Sequence, residues 1–341
     1  MITIGVLGYG YWGPNLVRNF AELPDARVVR VSDLRPDRLE RVTARYPATK
    51  VGTSANDVIG DPSVDAVVIA TPVHTHFELG MAALRSGKHV WMEKPLAVTS
   101  DQAARLLHEA DRRGLTLMVD HTFVFAAAVQ KMRDLTHAGE LGEIQYYDSV
   151  RISPGHFQND VNVLWDLAVH DLSIMDCVLG NSPVAVSATG LAHIAGNPEN
   201  IAYLTMFFDA NLIGHVHVNW LAPVKIRRTL LGGTRRMLVF DDLEASDKIK
   251  IYDRGISVNA SADNLALMRV AYRVGDMWSP QLALREPLHA AACHFIDVIT
   301  AKATPMSDGH AGLRIVKLLE AASQSLACHG RPISVGAGMP V

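Results

Sequence analysis

Short, almost wholly apolar runs alternate with segments of helical periodicity between residues 2 and 119. The runs are rich in β-branched residues, which is typical of strands that helices cover on both faces. We expect strands at residues 2–7, 26–32, 63–70, 89–92 and 115–119. We expect helices at residues 14–20, 37–46, 76–86 and 100–113. Because parallel neighbours need a crossover connection, this alternation predicts a doubly wound parallel α/β sheet.

The pattern changes after His121. Two helical segments, at residues 127–138 and 165–179, precede strand-like runs at residues 184–189, 201–208, 213–220, 229–232, 236–241 and 248–252. Runs that follow one another without helices between them indicate an antiparallel sheet. We therefore expect two domains, at residues 1–122 and 123–341. Helical periodicity returns at residues 285–300 and 309–329, and these segments can pack on either domain.

Composition narrows the class of protein. The 341 residues exceed what one hydrophobic core usually supports, and 49% of them are hydrophobic. A formal net charge of −3 offers no broad basic field for nucleic acid or an anionic membrane, so we expect neither partner. The three cysteines show no metal-ligand spacing, and the chain begins on an apolar strand without a signal-peptide pattern. We expect a cytoplasmic protein.

A glycine motif follows the first expected strand and opens the first expected helix. Gly8, Gly10 and Gly13 match G-x-G-x-x-G, with Tyr11 and Trp12 between the last two glycines, and Asp33 follows Gly13 by 20 residues at the end of the second strand. Together these features form the fingerprint of a Rossmann dinucleotide-binding domain, in which the helix N-terminus receives the pyrophosphate. The alternative is that the glycines serve only a tight turn and Asp33 caps a loop.

The acid at the end of the second strand bears on the choice of cofactor. Asp33 is expected to accept hydrogen bonds from the ribose hydroxyls and to repel a 2′-phosphate, which favours NAD over NADP. Arg35 complicates this expectation, because its guanidinium would bind a 2′-phosphate if the side chain turned inward. Leu34 completes the expected cofactor contacts of this segment.

The chain resembles the Gfo/Idh/MocA family of nicotinamide-dependent sugar and cyclitol oxidoreductases at three motifs: Ala70-Thr71-Pro72 with His76, the stretch from Gly87 to Glu93-Lys94-Pro95, and Asp166-x-x-x-His170. The resemblance implies a Rossmann domain followed by an α/β domain with a large, mainly antiparallel sheet. It also implies a homodimer or homotetramer. Thr71, Pro72, His76, Glu93 and Lys94 would then contact the cofactor, although His76 could instead cap the next helix.

Three residues are the candidates for catalysis. Lys94 lies just past a strand, at the edge where open α/β sheets place their ligands, and its ammonium can stabilise negative charge on a substrate oxygen. Asp166 and His170 are four positions apart on an expected helix and would share one face. An imidazole with an ordinary pKa near 6.5 can take the hydroxyl proton, while Asp166 either orients the substrate or stabilises the protonated imidazole. Without the resemblance, such a pair is more often a surface contact.

Five further polar residues are candidates for substrate binding: His121, Arg151, His156, Asn162 and Trp165. His121 ends the last Rossmann strand and either contacts substrate or satisfies backbone groups. The other four lie on or near the segment before the Asp166 helix, where they either bind sugar hydroxyls or a charged substituent or form ordinary loop surface. The histidines lack cysteine partners and the H-E-x-x-H pattern, so no metal is expected.

The sequence thus predicts an NAD-dependent dehydrogenase for a secondary alcohol or ketone on a sugar or cyclitol. The opening Gly-Tyr-Gly-Tyr-Trp-Gly-Pro resembles family members that act on nucleotide-linked sugars in glycan or antibiotic pathways. Two alternatives stay open, namely a non-catalytic NAD-binding sensor and a glycoside-modifying enzyme that works through a transient ketone on tightly held NAD.

Overall fold

A computed structural model describes residues 1–154, 161–209, 211–253 and 275–336, and also the backbone of residues 255–259 and 269–273. The chain forms two compact units. The first contains Met1–Ala126 and Arg285–Lys317, and the second contains the described residues of Ala127–Leu284 and Leu318–Val341. Within the described part of the chain, no helix is both long and apolar enough to cross a membrane.

The first unit contains a six-stranded parallel sheet in the order β3-β2-β1-β4-β5-β6. Its strands are β1 (Ile2–Leu7), β2 (Ala26–Ser32), β3 (Lys50–Gly52), β4 (Ala66–Ile69), β5 (His89–Glu93) and β6 (Leu117–Asp120). The crossover helices are α1 (Gly13–Ala21), α2 (Pro36–Arg45), α3 (Ala55–Ile59), α4 (His76–Arg85) and α5 (Ser100–Arg113). The predicted doubly wound sheet is confirmed, whereas β3 and α3 were not predicted.

Local chemistry sets the ends of these elements. All four residues of β4 are buried, as expected of a central strand covered on both faces. The side chain of Thr99 accepts a hydrogen bond from the Gln102 N–H at 3.2 Å and caps the start of α5. Gly114 ends that helix in the left-handed conformation, with a φ of 63°.

A late segment of the chain completes the first unit. It contributes α8 (Pro287–Ile299) and the beginning of α9 (Gly309–Ala327). Phe295 of α8 packs edge-on against Phe20 of α1 and Trp91 of β5, with ring centroids 6.2 and 5.4 Å apart. All three rings are buried, so this contact accounts for where the helical segment at 285–300 packs.

The second unit is built on a nine-stranded sheet in the order β16-β13-β12-β11-β7-β10-β9-β8-β17. Its strands are β7 (Ile144–Ile152), β8 (Ala185–Leu191), β9 (Ile201–Phe207), β10 (Ile213–Asn219), β11 (Ile226–Gly233), β12 (Met237–Asp241), β13 (Ile249–Tyr252), β16 (Met277–Trp278) and β17 (Ile333–Ser334). A separate antiparallel pair consists of β14 (Gly255–Asn259) and β15 (Arg269–Arg273).

Only β7 and β10 are parallel neighbours in the described ladder of the large sheet, so the sheet is mainly antiparallel, as predicted. Two helices of this unit are α6 (Ala127–His137) and α7 (Val169–Leu179). The single α-helix predicted over residues 165–179 needs correction, because Leu164–Ala168 forms a π-helical turn that leads into α7.

Candidate active site

In the turn after β1, two glycines lie very close to backbone carbonyl groups. Gly8 has a φ of +93°, and a Cβ added there would lie 2.5 Å from the carbonyl oxygen of Ala70. A Cβ at Gly13 would collide with the carbonyl oxygen of Gly8. Side chains are therefore excluded at both positions, and the turn can present bare backbone at the N-terminus of α1. This is the geometry that a dinucleotide pyrophosphate requires.

The two aromatic residues of the turn differ in their surroundings. Tyr11 is 91% exposed. Trp12 is half-buried, and its indole N–H donates to the Asp120 carboxylate at 3.3 Å. The glycine turn is thereby linked to the end of β6.

Asp33 at the end of β2 is held by several donors. It is 7% exposed and accepts hydrogen bonds from the backbone N–H groups of Tyr9, at 2.6 Å, and Arg35, at 2.9 Å. The Arg38 guanidinium lies 3.1 Å from its Oδ2. Our sequence reasoning missed Arg38, although its place in the first turn of α2, five residues after Asp33, was a usable signal.

The other residues of this segment turn outward. The guanidinium of Arg35 is 2.9 Å from the Asp37 carboxylate and largely exposed. Leu34 is 86% exposed. Arg38 is therefore the arginine whose side chain contacts Asp33, whereas the Arg35 side chain pairs with Asp37.

His76 connects two loops at the carboxyl edge of the first sheet. The ring is 1% exposed, and its two nitrogens each lie 2.9 Å from a backbone carbonyl oxygen, one of Thr71 and one of Pro95. Burial lowers the pKa of this imidazole below its ordinary value. His76 thus fixes the Thr71-Pro72 segment relative to the Glu-Lys-Pro turn.

Two carboxyl groups meet beside Lys94. Glu93 and Asp120 are register partners on the parallel strands β5 and β6. The Asp120 carboxylate accepts from the indole N–H of Trp12 and, at 2.7 Å, from the hydroxyl of Thr122. Burial and the Asp120 charge raise the pKa of Glu93 well above its ordinary value. Burial also raises the pKa of Asp120, but this carboxylate already accepts hydrogen bonds at both oxygens, so Glu93 is the carboxyl group of the pair that more readily holds a proton.

His121 and Glu93 contain the least satisfied polar atoms of this edge. His121 is 2% exposed, and both its ring nitrogens and the buried Oε1 of Glu93 lack a hydrogen-bond partner among the described residues. Burial, reinforced by the charge of Lys94, lowers the pKa of His121 to about 3. Because buried polar atoms are normally paired, this edge has the chemistry of a site that a bound ligand completes.

Asp166 and His170 lie on the π-helical turn and on α7, and both are half-buried. The Asp166 carboxylate accepts a hydrogen bond at 3.1 Å from the indole N–H of Trp220, which is 3% exposed. Sequence reasoning missed Trp220 as the residue that orients Asp166. Its position directly after the apolar alternation of β10 gave no sign of this contact.

The remaining expected substrate residues contact protein groups. The side-chain Oδ1 of Asn162 accepts from the N–H groups of Leu164 and Trp165, while the Trp165 indole donates to Ser323 at 2.9 Å. Arg151 forms a buried ion pair with Asp171 at 2.6 Å. His156 lies outside the described residues. Substrate contacts by this set stay a prediction.

Comparisons with known proteins decide the family. The profile of an oxidoreductase family with an NAD-binding Rossmann fold, Gfo/Idh/MocA, matches residues 2–121, and that of the Gfo/Idh/MocA C-terminal domain matches residues 129–239. The chain belongs to the Gfo/Idh/MocA family. It is therefore an oxidoreductase with an NAD-binding Rossmann domain, as the resemblance predicted.

Relatives within the family act on different substrates. UDP-N-acetylglucosamine 3-dehydrogenase of Acidithiobacillus ferrooxidans is 26% identical over 92% of this chain and 93% of its own length. Its solved structure has a TM-score of 0.81 at 25% identity and covers 96% of this chain and 98% of that one. Myo-inositol 2-dehydrogenase of Thermotoga maritima is 26% identical over 70% of this chain and 72% of its own length.

Proposed function

We propose that this Gfo/Idh/MocA protein oxidises or reduces a secondary alcohol or ketone on a nucleotide-linked sugar, with NAD as the preferred cofactor. The observation that carries the proposal is the set of buried, incompletely satisfied polar groups around Lys94 at the carboxyl edge of the Rossmann sheet. The likeness to a UDP-N-acetylglucosamine dehydrogenase over nearly the whole chain supports the nucleotide sugar.

The residues present fit a dinucleotide. The bare backbone of Gly8, Gly10 and Gly13 would receive the pyrophosphate, and Asp33 would bind the adenosine ribose. Asp33 and its partner Arg38 favour NAD, because the carboxylate repels a 2′-phosphate and already occupies the guanidinium nearest to it. Thr71, Pro72 and Glu93 would line the nicotinamide side. When bound, the nicotinamide supplies the acceptor or donor of hydride.

The chain's own catalytic residues handle the proton and the charge. Lys94 donates a hydrogen bond to the substrate oxygen and stabilises the negative charge that develops there. His170 takes the hydroxyl proton in oxidation and returns it in reduction. Asp166, oriented by Trp220, stabilises the protonated imidazole.

The proposal is tested with a panel of UDP-sugars, inositols and aminosugars of antibiotic type, each with NAD and with NADP, by following the absorbance of the reduced cofactor. We expect turnover of a nucleotide sugar and a lower rate with NADP. Lys94→Ala and His170→Ala should each lower kcat by at least about a hundredfold. Exposed residues of the same types, Lys50 and His108, provide the matched alanine controls.

Cofactor binding, measured separately by quenching of tryptophan fluorescence, shows whether a variant still folds and holds NAD. Normal rates in both Lys94→Ala and His170→Ala would refute the mechanism. No turnover of any panel member by the wild-type protein, with NAD binding intact, would favour the sensor.

A further inference from the structure

Two arginines lie side by side on one face of the nine-stranded sheet. Arg151 of β7 and Arg227 of β11 are register partners on antiparallel strands. Residues paired in this way project from the same face of a sheet, with Cβ atoms roughly 5 Å apart. Lys225 precedes Arg227 by two positions, and its pKa is lowered chiefly by the charge of Arg227. Like charges are therefore concentrated at this end of the sheet.

Arg151 and Arg227 each contact a carboxylate. Asp171 pairs with Arg151 and also accepts the hydroxyl of Ser149 at 2.5 Å. Asp242 is shared between Arg227, at 3.2 Å, and Lys248, at 3.3 Å. Burial and then the charge of Arg151 lower the pKa of Arg227. The Arg227 guanidinium is thus repelled by that of Arg151.

The cluster lies at the same end of the sheet as Asp166. Val218 of β10 is the register partner of Arg151 on its other side. Trp220, two residues after Val218 along the chain, donates to Asp166. Arg227 and Lys225 thus extend the row that begins at the proposed proton-handling residues.

Access differs from residue to residue. The side chain of Arg151 is 4% exposed, whereas that of Arg227 is 24% exposed and Lys225 is exposed. An anion can therefore reach Arg227 and Lys225 from solvent. The positively charged guanidinium of Arg151 lies buried beside Arg227. Carboxylate and phosphate oxygens are the groups that a guanidinium binds with two parallel hydrogen bonds.

We propose that Arg227 and Lys225, backed by Arg151, form a subsite for an anionic group of the substrate, either a phosphate or a sugar carboxylate. The inference rests on the proposed function, because it assumes that the second unit holds the substrate. An anion here would receive charge-assisted hydrogen bonds and offset the repulsion between the cations.

The sharpest test compares neighbouring arginines on opposite faces of β11. Arg228 is exposed and is the register partner of Val150, one position away from the Arg151 pair, so its side chain projects from the other face. Arg228→Gln is therefore the matched control for Arg227→Gln, and Arg227→Lys keeps a cation at the site. Calorimetric titration uses the full chain saturated with NAD. UDP is compared with uridine, and glucuronate with glucose.

We expect wild-type protein to bind at least one charged probe about tenfold or more tightly than its neutral counterpart, with the difference shrinking as salt is added. Arg227→Gln should abolish most of this preference, Arg227→Lys should keep part of it, and Arg228→Gln should leave it unchanged. A preference for UDP assigns the subsite to a phosphate, and one for glucuronate assigns it to a carboxylate.

Equal binding of charged and neutral probes by the wild type, or equal effects of Arg227→Gln and Arg228→Gln, would overturn the inference. Since binding is measured without turnover, the two proposals fail separately. Loss of the preference in Arg227→Gln alone, in a protein that oxidises no sugar, would leave the subsite in place and remove the dehydrogenase. Thermal unfolding of each variant checks that it is folded.

Discussion

The carboxyl edge of the first sheet and the charged end of the second sheet bury polar groups in different ways. At the first, both ring nitrogens of His121 and the Oε1 of Glu93 have no hydrogen-bond partner among the described residues. At the second, Arg151 and Asp171 form a buried ion pair at 2.6 Å, and Ser149 donates to the same carboxylate. The difference separates polar groups that the proposed ligand would complete from polar groups that pair within the protein.

The largest expected loss of stability is at Asp171. Replacing Asp171 with Asn leaves the buried Arg151 guanidinium without its counter-charge, which should lower the free energy of unfolding by about 3–5 kcal/mol. Urea denaturation measures this loss. Asp148→Asn is the control on β7, because its carboxylate is 42% exposed and contacts only a half-exposed His215 in the described ion pairs. Equal losses in the two variants would show that the buried pair is not structural.

The next largest effect is the pH dependence of stability that His121 causes. With a folded-state pKa of about 3, the ring stays neutral in the folded protein while the unfolded chain takes up a proton below its ordinary pKa. The stability due to neutral His121 is present above about pH 6.5 and is lost as the pH falls. From about pH 6.5 to about pH 5.0, wild type should lose roughly 2 kcal/mol more than His121→Gln.

Denaturation curves at several pH values measure this difference, with His108→Gln on the exposed face of α5 as the control. Parallel pH profiles for wild type and His121→Gln would mean that the imidazole is hydrated or protonated in the folded protein.

Glu93 gives the smallest effect, with the opposite sign. Its raised pKa means that the stability it contributes is complete below the unfolded-state pKa and is lost as the pH rises toward the folded-state value. Glu93→Gln cannot ionise, so it should gain stability relative to wild type as the pH rises from the ordinary pKa of a glutamate toward neutrality. Thermal unfolding across this range checks the gain, and exposed Glu78→Gln should show none. A constant difference would place the proton on Asp120 instead.

The sequence was most informative where burial and local pattern coincide. The bounds of β1, β2 and α5 are as predicted, because aliphatic strands and a helix with a Thr cap and a glycine end carry strong local signals. Strand β7 was missed because its buried face consists of Tyr147, Ser149 and Arg151 rather than aliphatic residues. Polar residues on a buried face hide the alternation on which strand prediction depends.

Only those parts of the candidate site that lie in short sequence motifs could be predicted. The glycine turn, Asp33 and the position of Lys94 follow from local sequence. The partners of these residues come from distant strands and helices, as with Trp220 and Asp166, which are 54 residues apart. Asp171 directly follows His170 on the helix, so its side chain points about 100° away from that of His170, and the structure pairs it with Arg151 instead. Pairings of this kind depend on tertiary contacts, which leave no local pattern in the sequence.

The ring of Phe295 has a consequence for synthesis. It is wholly buried against Phe20 and Trp91, yet it is synthesised 275 residues after Phe20 and 204 residues after Trp91. Until then the nascent Rossmann sheet exposes an aromatic surface with no cover. A fragment that ends at Ala126 should therefore be prone to aggregate, and a usable nucleotide-binding fragment would need residues 285–317 joined back to it.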